Sequence, residues 1–490
     1  MEKAESVFGA RRTVDGRRAE CVTRRGFLGG AAALAACLMS KGARAVFAAA
    51  DATEPLPDYY APHLAAVAAK VNARAAQAAD AFWFITDLHI TANRRRSGKA
   101  IAALARLVPS VTKTLVGGDF PEAFGAKFET DRQCVDYAVD YYRLFWKEPI
   151  EGVGVKVYTA KGNHDFTVKH DAQTPAGFTY SGVDARKIIM DSAGCREVVT
   201  NPDDPEACYY YFDNAAARVR YIVADTTDSI TSSRPYWAVQ SGIHEKQLLW
   251  LADNAVATLP IGWHAVVMHH IPIQGVVGNA GEIKLYAPFR ELLEAYQARG
   301  RTTLCGKEYD FSNAQGRILM DITGHHHAER QTFVKGILHV TEPCDAAYSD
   351  YIVGSAPWCG DLPSKRAGAV TEQTFDAVQL DLAREMVYFT RVGGGQDRAI
   401  HTRAREVKAG ATCAFASTQL TGPITWACYD GDRVTYKRNP KNRYTSLVEY
   451  HNDYATVASD GTLTALKPGP VMVLAMDAAR NKEIFPVTVV

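Results

Sequence analysis

Five short clusters of Asp, His and Asn stand out in the sequence, because these side chains bind metal ions and transfer protons. They are, in chain order, Asp87-Leu88-His89, Gly117-Gly118-Asp119, Gly162-Asn163-His164-Asp165, His269-His270-Ile271-Pro272 and Gly324-His325-His326-His327. Mixed carboxylate, amide and imidazole ligation suits Mn, Fe, Zn or Ni. The clusters therefore predict a metal site if the fold brings them together.

The first two clusters are weak signals when taken alone. Residues two apart on an extended segment point to the same side, so Asp87 and His89 can reach one ion. The glycines before Asp119 allow a tight turn, and its carboxylate has two oxygens that can bridge two ions. A chance Asp-x-His is common, however, and a Gly-Asp turn is more often only a turn.

The third cluster is more specific, since a structural turn rarely needs three polar side chains in a row. Asn163 can offer a neutral oxygen to a metal, and His164 can protonate a leaving group. Asp165 could orient the imidazole of His164. In the fifth cluster, the alternate residues His325 and His327 face the same way.

The clusters follow short apolar runs that read as buried strands. These runs are Ala81–Thr86, Lys113–Val116, Val155–Thr159, Val219–Ala224, His264–Met268 and Arg317–Ile322. Helices are predicted at Tyr60–Asp80, Gly98–Leu107 and Ile243–Leu259. The alternation predicts a layered α/β domain, and in an open α/β sheet sites form at the carboxyl ends of the strands.

The order of the five clusters resembles the calcineurin-like metallophosphoesterase superfamily, from about Ala81 to Val392. The resemblance implies a four-layer α/β/β/α sandwich with two metal ions at the strand ends. Family members have the ligand two positions before the Pro, which selects His270 over His269. Carried over motif by motif, the resemblance assigns Asp87, His89 and His327 to one ion, Asn163, His270 and His325 to the other, Asp119 to both, and His164 to catalysis near the substrate.

This resemblance implies hydrolysis of a phosphomonoester or phosphodiester by a metal-bound hydroxide, with His164 protonating the departing alkoxide. Purple acid phosphatases carry Tyr three residues after the bridging Asp, where this chain has Glu122. Protein Ser/Thr phosphatases have Glu at the position of Asp165 and an Arg soon after the bridging Asp, which Phe120–Ala123 lacks. A phosphoprotein phosphatase is therefore disfavoured. The alternative class is a cell-envelope binding or adhesion protein that retains the fold with little turnover.

The N-terminal segment, residues 1–45, has the layout of an export signal. Arg24 and Arg25 precede an uncharged run to Met39, shorter than the about 20 residues a membrane-spanning helix needs. The segment resembles a twin-arginine signal and predicts an exported protein: periplasmic, on the cell surface or secreted. Leu34–Cys37 also resembles a lipoprotein box, so cleavage to a soluble form and a membrane anchor on Cys37 both stay open. Residues 46–80 are expected to form a helical segment.

The catalytic domain is predicted to span residues 81–400 and to close with a hairpin, Phe375–Leu382 and Met386–Val392. A basic stretch through Arg405 reads as a linker. Strand-sized runs then follow, with a hairpin turn at Asp460-Gly461, and predict a small all-β sandwich. Residues 407–490 resemble a bacterial immunoglobulin-like domain of group 2, a module type that serves as a spacer or contacts surfaces.

The amino-acid composition limits the classes of partner that the protein is expected to bind. Lys and Arg number 55 and Asp and Glu 54, a net charge of +1, which argues against a dedicated nucleic-acid binder. The expected substrate is the phosphate ester that the family resemblance implies. The ten cysteines fit an oxidising compartment. Cys195/Cys208, Cys344/Cys359 and Cys413/Cys428 are neighbours that could each form a bridge, with buried free thiols as the alternative.

Overall fold

A computed structural model describes the chain from residue 55 onward, with gaps. The described residues are 55–89, 96–120, 140, 142–163, 165, 186, 189–190, 197–228, 242–273, 287–327, 329–345, 366, 368–431, 434–438 and 446–490. Asp51–Val490 forms one compact unit. The predicted export signal, with Arg24, Arg25 and Cys37, lies outside the described residues, and so does His164.

Five α-helices are described, and helix α1 shows why they form. Leu64, Val67, Ala68 and Val71 recur at helical spacing and are buried, so one face of α1 packs against the protein. The helix ends at Arg74, earlier than predicted, and Asp80 begins the first strand. The helices are α1 (Tyr60–Arg74), α2 (Arg96–Leu107), α3 (Glu148–Glu151), α4 (Glu245–Trp250) and α5 (Ala287–Gln297), with π-helical turns at Arg143–Lys147 before α3 and Leu251–Val256 after α4.

The strands of the first two thirds of the chain include every one predicted there, with small shifts at their ends. They are β1 (Asp80–Ile85), β2 (Lys113–Val116), β3 (Lys156–Thr159), β4 (Val199–Thr200), β5 (Tyr210–Asn214), β6 (Val219–Val223), β7 (His264–Met268), β8 (Arg301–Leu304), β9 (Lys307–Asp310), β10 (Arg317–Thr323), β11 (Arg330–Val334) and β12 (Ile337–Thr341). Strands β4, β5, β8, β9, β11 and β12 are additional to the prediction.

The remaining strands begin with the predicted closing hairpin. They are β13 (Thr374–Asp381), β14 (Met386–Gly393), β15 (Arg398–His401), β16 (Arg405–Val407), β17 (Thr412–Ala414), β18 (Thr425–Asp430), β19 (Val434–Arg438), β20 (Ser446–Tyr450), β21 (Ala455–Val457), β22 (Thr462–Ala465), β23 (Gly469–Met476) and β24 (Lys482–Val489). Strands β13 and β14 pair antiparallel along their whole length, so the predicted hairpin is confirmed.

The larger sheet has ten strands in the order β18-β23-β24-β15-β14-β13-β1-β2-β3, with β16 beside β24. Strands β1, β2 and β3 are parallel, and Ile85, Val116 and Thr159 are aligned across them. The segments that follow these strands therefore leave the sheet at one edge.

The smaller sheet has seven strands in the order β11-β12-β10-β7-β6-β5-β4. Its central strands β6, β7, β10 and β12 are parallel, with Met268 aligned with Ile322 and Ile322 with Val340. Their carboxyl ends also share one edge, so the segments after β7, β10 and β12 emerge side by side.

The two sheets pack face to face through one apolar cluster that includes Phe82 and Phe84 of β1 with Val266 and Met268 of β7. The other face of the smaller sheet packs against α4, its π-helical extension and α5. Helix α1 contacts β13 and β14 of the larger sheet. The mixed α/β class predicted from the sequence is confirmed.

The predicted linker after the closing hairpin is wrong. Residues Arg398–His401 and Arg405–Val407 are strands β15 and β16, and each pairs with β24. Ile400 explains this outcome, because its fully buried side chain belongs to the apolar cluster between the two sheets. The C-terminal strands therefore continue the larger sheet.

The C-terminal part is all-β, as predicted. A three-stranded sheet, β17-β22-β21, and strands β23 and β24 both contribute to an apolar cluster that includes Leu463, Val473 and Val487. The hairpin at Asp460-Gly461 is confirmed: Gly461 has φ +85°, and Asp460 Oδ1 accepts the N–H of Thr462. The immunoglobulin-like type of this part stays a prediction.

No helix in the described part of the chain is long and apolar enough to cross a membrane. Cys413 and Cys428 are free thiols, so the bridge considered for this pair is not formed. Their sulfurs face backbone carbonyls instead, those of Ala414 and Ala455. Cys208 is a free thiol as well, while Cys195 and Cys359, the partners considered for Cys208 and Cys344, lie outside the described residues.

Candidate metal centre

Loops from both sheets meet at the shared edge and carry the candidate ligands on strained backbone. Five of these residues have positive φ although none is glycine. Outside turns this conformation costs of order 1–3 kcal/mol per residue and clusters at functional sites. The five are Asp87 (φ +53°), His89 (+39°), Asp119 (+55°), His325 (+68°) and His327 (+53°).

Two glycines let these loops approach one another closely. At Gly118, φ is +96° and a Cβ would lie 2.7 Å from His270 Nδ1. At Gly324 a Cβ would collide with the side chains of Thr86 and Asp87. Both positions therefore require glycine, and both bring loops of the two sheets into contact.

Asp87, His89 and His327 form the first half of the centre. The Nε2 atoms of His89 and His327 lie 3.1 Å apart. His327 Nε2 lies 3.1 Å from Asp87 Oδ1, and His89 Nε2 lies 3.9 Å from the same oxygen. Asp87 is held in place by Thr86 Oγ1 and by the backbone N–H of His325, which both donate to its carboxylate.

Asn163, His270 and His325 form the second half. Asn163 Oδ1 lies 3.0 Å from His270 Nε2 and 2.8 Å from His325 Nδ1. Asp119 stands between the halves, because its Oδ2 is 3.1 Å from His270 Nε2 and 3.8 Å from His89 Nε2. The structure thus brings together all seven residues that the sequence proposed as ligands.

The two adjacent histidines after β7 have different surroundings. His270 Nδ1 lies 2.7 Å from the carbonyl oxygen of Gly117. When Nδ1 of the neutral ring donates a hydrogen bond to that carbonyl, Nε2 carries the lone pair. This lone pair faces Asp119 and Asn163. His269 is fully buried instead beside Asp321, with 2.7 Å from Nε2 to Oδ1, and His339 contacts the other oxygen of Asp321 at 2.8 Å.

The buried carboxylates and imidazoles shift one another's pKa values. Burial raises the pKa of Asp87, but the facing His327 holds it well below its ordinary value. Burial lowers the pKa of His270, but the Asp119 carboxylate raises it to about 9. Negative charge therefore dominates the centre and favours any cation placed there, either a proton on an imidazole or a metal ion.

Asp165 fastens the second and third motif loops together. Its carboxylate accepts the backbone N–H groups of Asp119, Phe120 and Gly162 at 3.0, 2.6 and 2.7 Å. Burial and the charge of Asp119 raise the pKa of Asp165, whereas the hydrogen bonds from the N–H groups of Gly162 and Phe120 lower it. The net result is a pKa of about 7. The predicted contact with His164 falls outside the described residues and stays a prediction.

Sequence reasoning missed one donor at this edge, Cys344. The thiol sulfur of Cys344 and one ring nitrogen each of His89 and His327 lie within 4.8 Å of one another. Strand β12, three residues before Cys344, was not predicted. Had it been, its parallel pairing with β10 would have placed Cys344 at the edge that carries His325.

The donor set fits a pair of divalent ions. Asp119, His270 and His325 form one group of ligand atoms within 4.8 Å of one another, and Asp87, His89 and Asp119 form another. The shared carboxylate suits two neighbouring ions, and carboxylate with imidazole suits first-row transition metals. Positive charge at both places would also relieve the repulsion between Asp87 and Asp119.

Residues 81–328 match a family model described as calcineurin-like phosphoesterase, which covers half of the chain. No curated protein matches the chain significantly. Similar solved structures include a dimetal phosphatase from Danio rerio, at 13% identity and a TM-score of 0.44, covering 66% of this chain and 98% of that one.

Two further structures are more distant in shape. A phosphopantetheinyl hydrolase from Mycobacterium tuberculosis is 11% identical with a TM-score of 0.29, and the match covers 54% of this chain and 89% of that one. GAP50, described as the anchor in the inner membrane complex of Plasmodium, is 15% identical with a TM-score of 0.33, covering 64% and 88%.

Proposed function

Because the chain belongs to the calcineurin-like phosphoesterase family, and is thus a metal-dependent phosphoester hydrolase, we propose that it acts outside the cytoplasm on a phosphomonoester or phosphodiester. Asp87, His89 and His327 would hold one divalent ion, and Asn163, His270 and His325 the other. Asp119 would contact both. The assignment of residues to ions follows the order of the motifs and is supported by their grouping in space.

One observation carries this proposal: seven donors from five separate segments converge at the edge shared by the two sheets. Their side chains are buried or half-buried. Burying carboxylates and imidazoles together costs free energy unless charge compensates them, and the strained backbone at five of the positions adds to that cost. Such a site persists when it serves a ligand.

When bound, two divalent ions lower the pKa of a water molecule and neutralise charge that develops on the phosphoryl group. The protein residues orient this chemistry. Gly117 fixes the ring of His270 so that Nε2 faces the centre, and Asp165 fixes the backbone of Asp119 and Gly162. His164, which follows Asn163 directly, would donate a proton to the departing oxygen.

The test measures hydrolysis of p-nitrophenyl phosphate, bis-p-nitrophenyl phosphate and a panel of nucleotides with added Mn²⁺. We compare the wild type with Asp119→Ala and with the control Asp310→Ala, which alters an exposed ion pair with Arg301. The proposal expects activity in the wild type and the control and its loss in Asp119→Ala. A wild type as inert as Asp119→Ala on the whole panel would refute it. The ratio of monoester to diester turnover also assigns the substrate class.

The proposed export rests on the sequence of the leader, in which Arg24 and Arg25 precede an apolar run. Replacing both arginines by lysine keeps the charge, yet should retain the protein inside the cell if the twin-arginine route is used. Unchanged export of this variant would contradict that route. Mass spectrometry of the mature N-terminus then distinguishes an acylated Cys37 from a soluble start.

The proposal extends to the C-terminal part, residues 407–490, as an immunoglobulin-like module that contacts the cell envelope. Its support is the strand pattern and the apolar cluster shared by β22, β23 and β24. Co-sedimentation of the full chain with isolated envelope fragments tests the contact. Recovery of the whole protein in the supernatant would argue against it.

A further inference from the structure

Cys344 lies at the edge of the sheets where the candidate ligands converge. Its side chain is 2% exposed, and Sγ lies 3.1 Å from the backbone carbonyl oxygen of Asp87. Sγ and ring nitrogens of His89 and His327 lie within 4.8 Å of one another. Donors bound to one ion at about 2.0–2.3 Å are at most about 4.6 Å apart, so three donors at this spacing can meet on one ion with small side-chain adjustments.

The backbone on both sides of Cys344 is fastened to the loops that carry other ligands. The N–H of Glu342 donates to the carbonyl of Thr323 at 2.9 Å, just before the Gly324 loop. The N–H of Asp345 donates to the carbonyl of Thr86 at 3.0 Å, just before Asp87. The thiol is therefore held in position before any ion arrives, which is what an effective metal ligand requires.

Two other buried thiols show what a cysteine without this role looks like. Cys208 belongs to the apolar cluster between the two sheets, and Cys428 to that of the C-terminal part. The Sγ of Cys428 lies 3.5 Å from the carbonyl of Ala455. Cys344 shares with them the contact to a carbonyl, but it lies beside two imidazoles and the Asp87 loop instead of among apolar side chains.

We propose that the thiolate of Cys344 is a further ligand of the ion on the Asp87, His89 and His327 side. This inference rests on the proposed function, because it requires the same pair of ions. The thiol proton leaves to solvent when the ion binds, as for other cysteine ligands. A soft sulfur donor on this side and the neutral amide oxygen of Asn163 on the other make the two positions unequal. The sulfur side should prefer zinc or iron, and the Asn163 side should lose its ion first.

The test uses the full chain loaded with Co²⁺, in the wild type, Cys344→Ser and the control Cys428→Ser. A thiolate bound to cobalt gives a charge-transfer absorption in the near ultraviolet. We expect this absorption in the wild type and the control and its loss in Cys344→Ser, with the Zn²⁺ affinity of one of the two positions reduced at least about 10-fold. A wild type that binds two cobalt ions without this absorption, or an absorption that persists in Cys344→Ser, would overturn the proposal.

X-ray absorption of the zinc-loaded wild type decides the question even if Cys344→Ser does not fold. A sulfur scatterer in the averaged zinc environment supports the proposal, and only nitrogen and oxygen scatterers refute it. These measurements distinguish a failure of the Cys344 proposal from a failure of the proposed function. Two bound ions and phosphoesterase activity without sulfur would remove Cys344 alone, whereas a chain that binds no ions would remove both.

Discussion

Two buried polar clusters share two segments of the chain but balance their charges in different ways. The metal centre contains Asp87 and Asp119 with four histidines and Asn163. The second cluster, here called the ion cluster, consists of Glu329, Glu342, Asp376, Arg391, Arg398 and Lys482, all of them buried. Glu329 follows His327 by two residues and Glu342 precedes Cys344 by two, so the same loops serve both clusters.

In the ion cluster, carboxylates face fixed cations. Lys482 Nζ lies 2.7 Å from Glu329 Oε1, and Arg398 Nη2 lies 2.8 Å from Glu342 Oε1 and 2.7 Å from Asp376 Oδ2. Arg391 contacts Glu329 and Asp376 at 2.9 Å each. Three formal negative charges meet three formal positive charges, so the cluster is complete without any ligand.

In the metal centre, the ion pairs described for Asp87 and Asp119 are with imidazoles. An imidazole that binds a metal through its lone pair is neutral, so it cannot supply the compensating charge at the same time. The comparison therefore separates a structural cluster, whose cations are covalently part of the chain, from a cluster whose cations must come from solution.

The largest change in activity relative to the wild type is expected from Asp87→Asn. This substitution removes one negative charge from the metal centre and nearly preserves the shape of the side chain. We expect kcat/KM to fall at least about 1,000-fold, about 4 kcal/mol, because an ion that compensates developing charge would be lost or weakened. The metal-free variant should be somewhat less stable than the metal-free wild type, because an amide cannot form the ion pair with His327 that lowers the pKa of Asp87. Kinetics, metal analysis and urea unfolding of both proteins provide the measurements. Retention of both ions and normal turnover would refute the distinction.

The matched change in the ion cluster, Asp376→Asn, should have the opposite profile. It leaves Arg391 and Arg398 incompletely paired in the interior, which costs about 3–5 kcal/mol of the free energy of unfolding. Turnover per folded molecule and metal content should stay normal. Asp310→Asn, in an exposed pair with Arg301, is the control and should cost less than about 1 kcal/mol. Equal losses in the two variants would contradict the structural role of the ion cluster.

Metal removal tests the comparison without any substitution. With free Zn²⁺ at about 100–1,000 times its Kd, binding stabilises the folded state by about 3–4 kcal/mol, so chelation with EDTA should lower the free energy of unfolding by that amount. Urea unfolding with and without EDTA measures it. The same treatment should change Asp87→Asn much less and should lower Asp376→Asn as much as it lowers the wild type. An EDTA effect of the same size in all three proteins would show that the bound ions lie elsewhere.

The metal centre could be predicted from sequence to a degree that the ion cluster could not. Each candidate ligand lies in a short motif directly after an apolar strand, and strand ends of parallel sheets meet at one edge. The structure follows this rule, because Ile85 is aligned with Val116 and Met268 with Ile322 at the ends of parallel strands. Each ligand motif could be recognised from neighbouring residues alone. Only the meeting of the motifs at one edge depended on the fold.

The ion cluster has no local signal, because its six members come from six separate segments and Arg391 and Arg398 look like ordinary charged residues in strands. Charged residues are almost never fully buried unless paired, so sequence reasoning assigned the stretch after the closing hairpin to a linker. Lys482 reaches Glu329 only because β24 continues the larger sheet beside β15. Such long-range pairing cannot be derived from periodicity.

Glu483, next to Lys482, shows a third way of compensating a buried carboxylate. Ser417 Oγ and the backbone N–H groups of Thr418 and Gln419 donate to its Oε2 at 2.6, 2.7 and 3.0 Å. His401 Nε2 lies 2.9 Å from Oε1. Burial raises the pKa of Glu483, but these hydrogen bonds lower it below the ordinary 4.5. Neutral donors thus replace the fixed cations of the ion cluster.

Among the changes to buried carboxylates, the smallest effect is therefore expected from Glu483→Gln, at about 1–2 kcal/mol near pH 7. A carboxylate with a lowered pKa contributes its stability above the unfolded value of about 4.5 and loses it as the pH falls through the folded value. The difference between wild type and Glu483→Gln should accordingly shrink below about pH 4.5, when the wild-type side chain becomes neutral as well. Urea unfolding of both proteins from pH 7 to pH 3.5 measures it. A difference that stays constant over this range would mean that shape, and not charge, makes Glu483 stabilising.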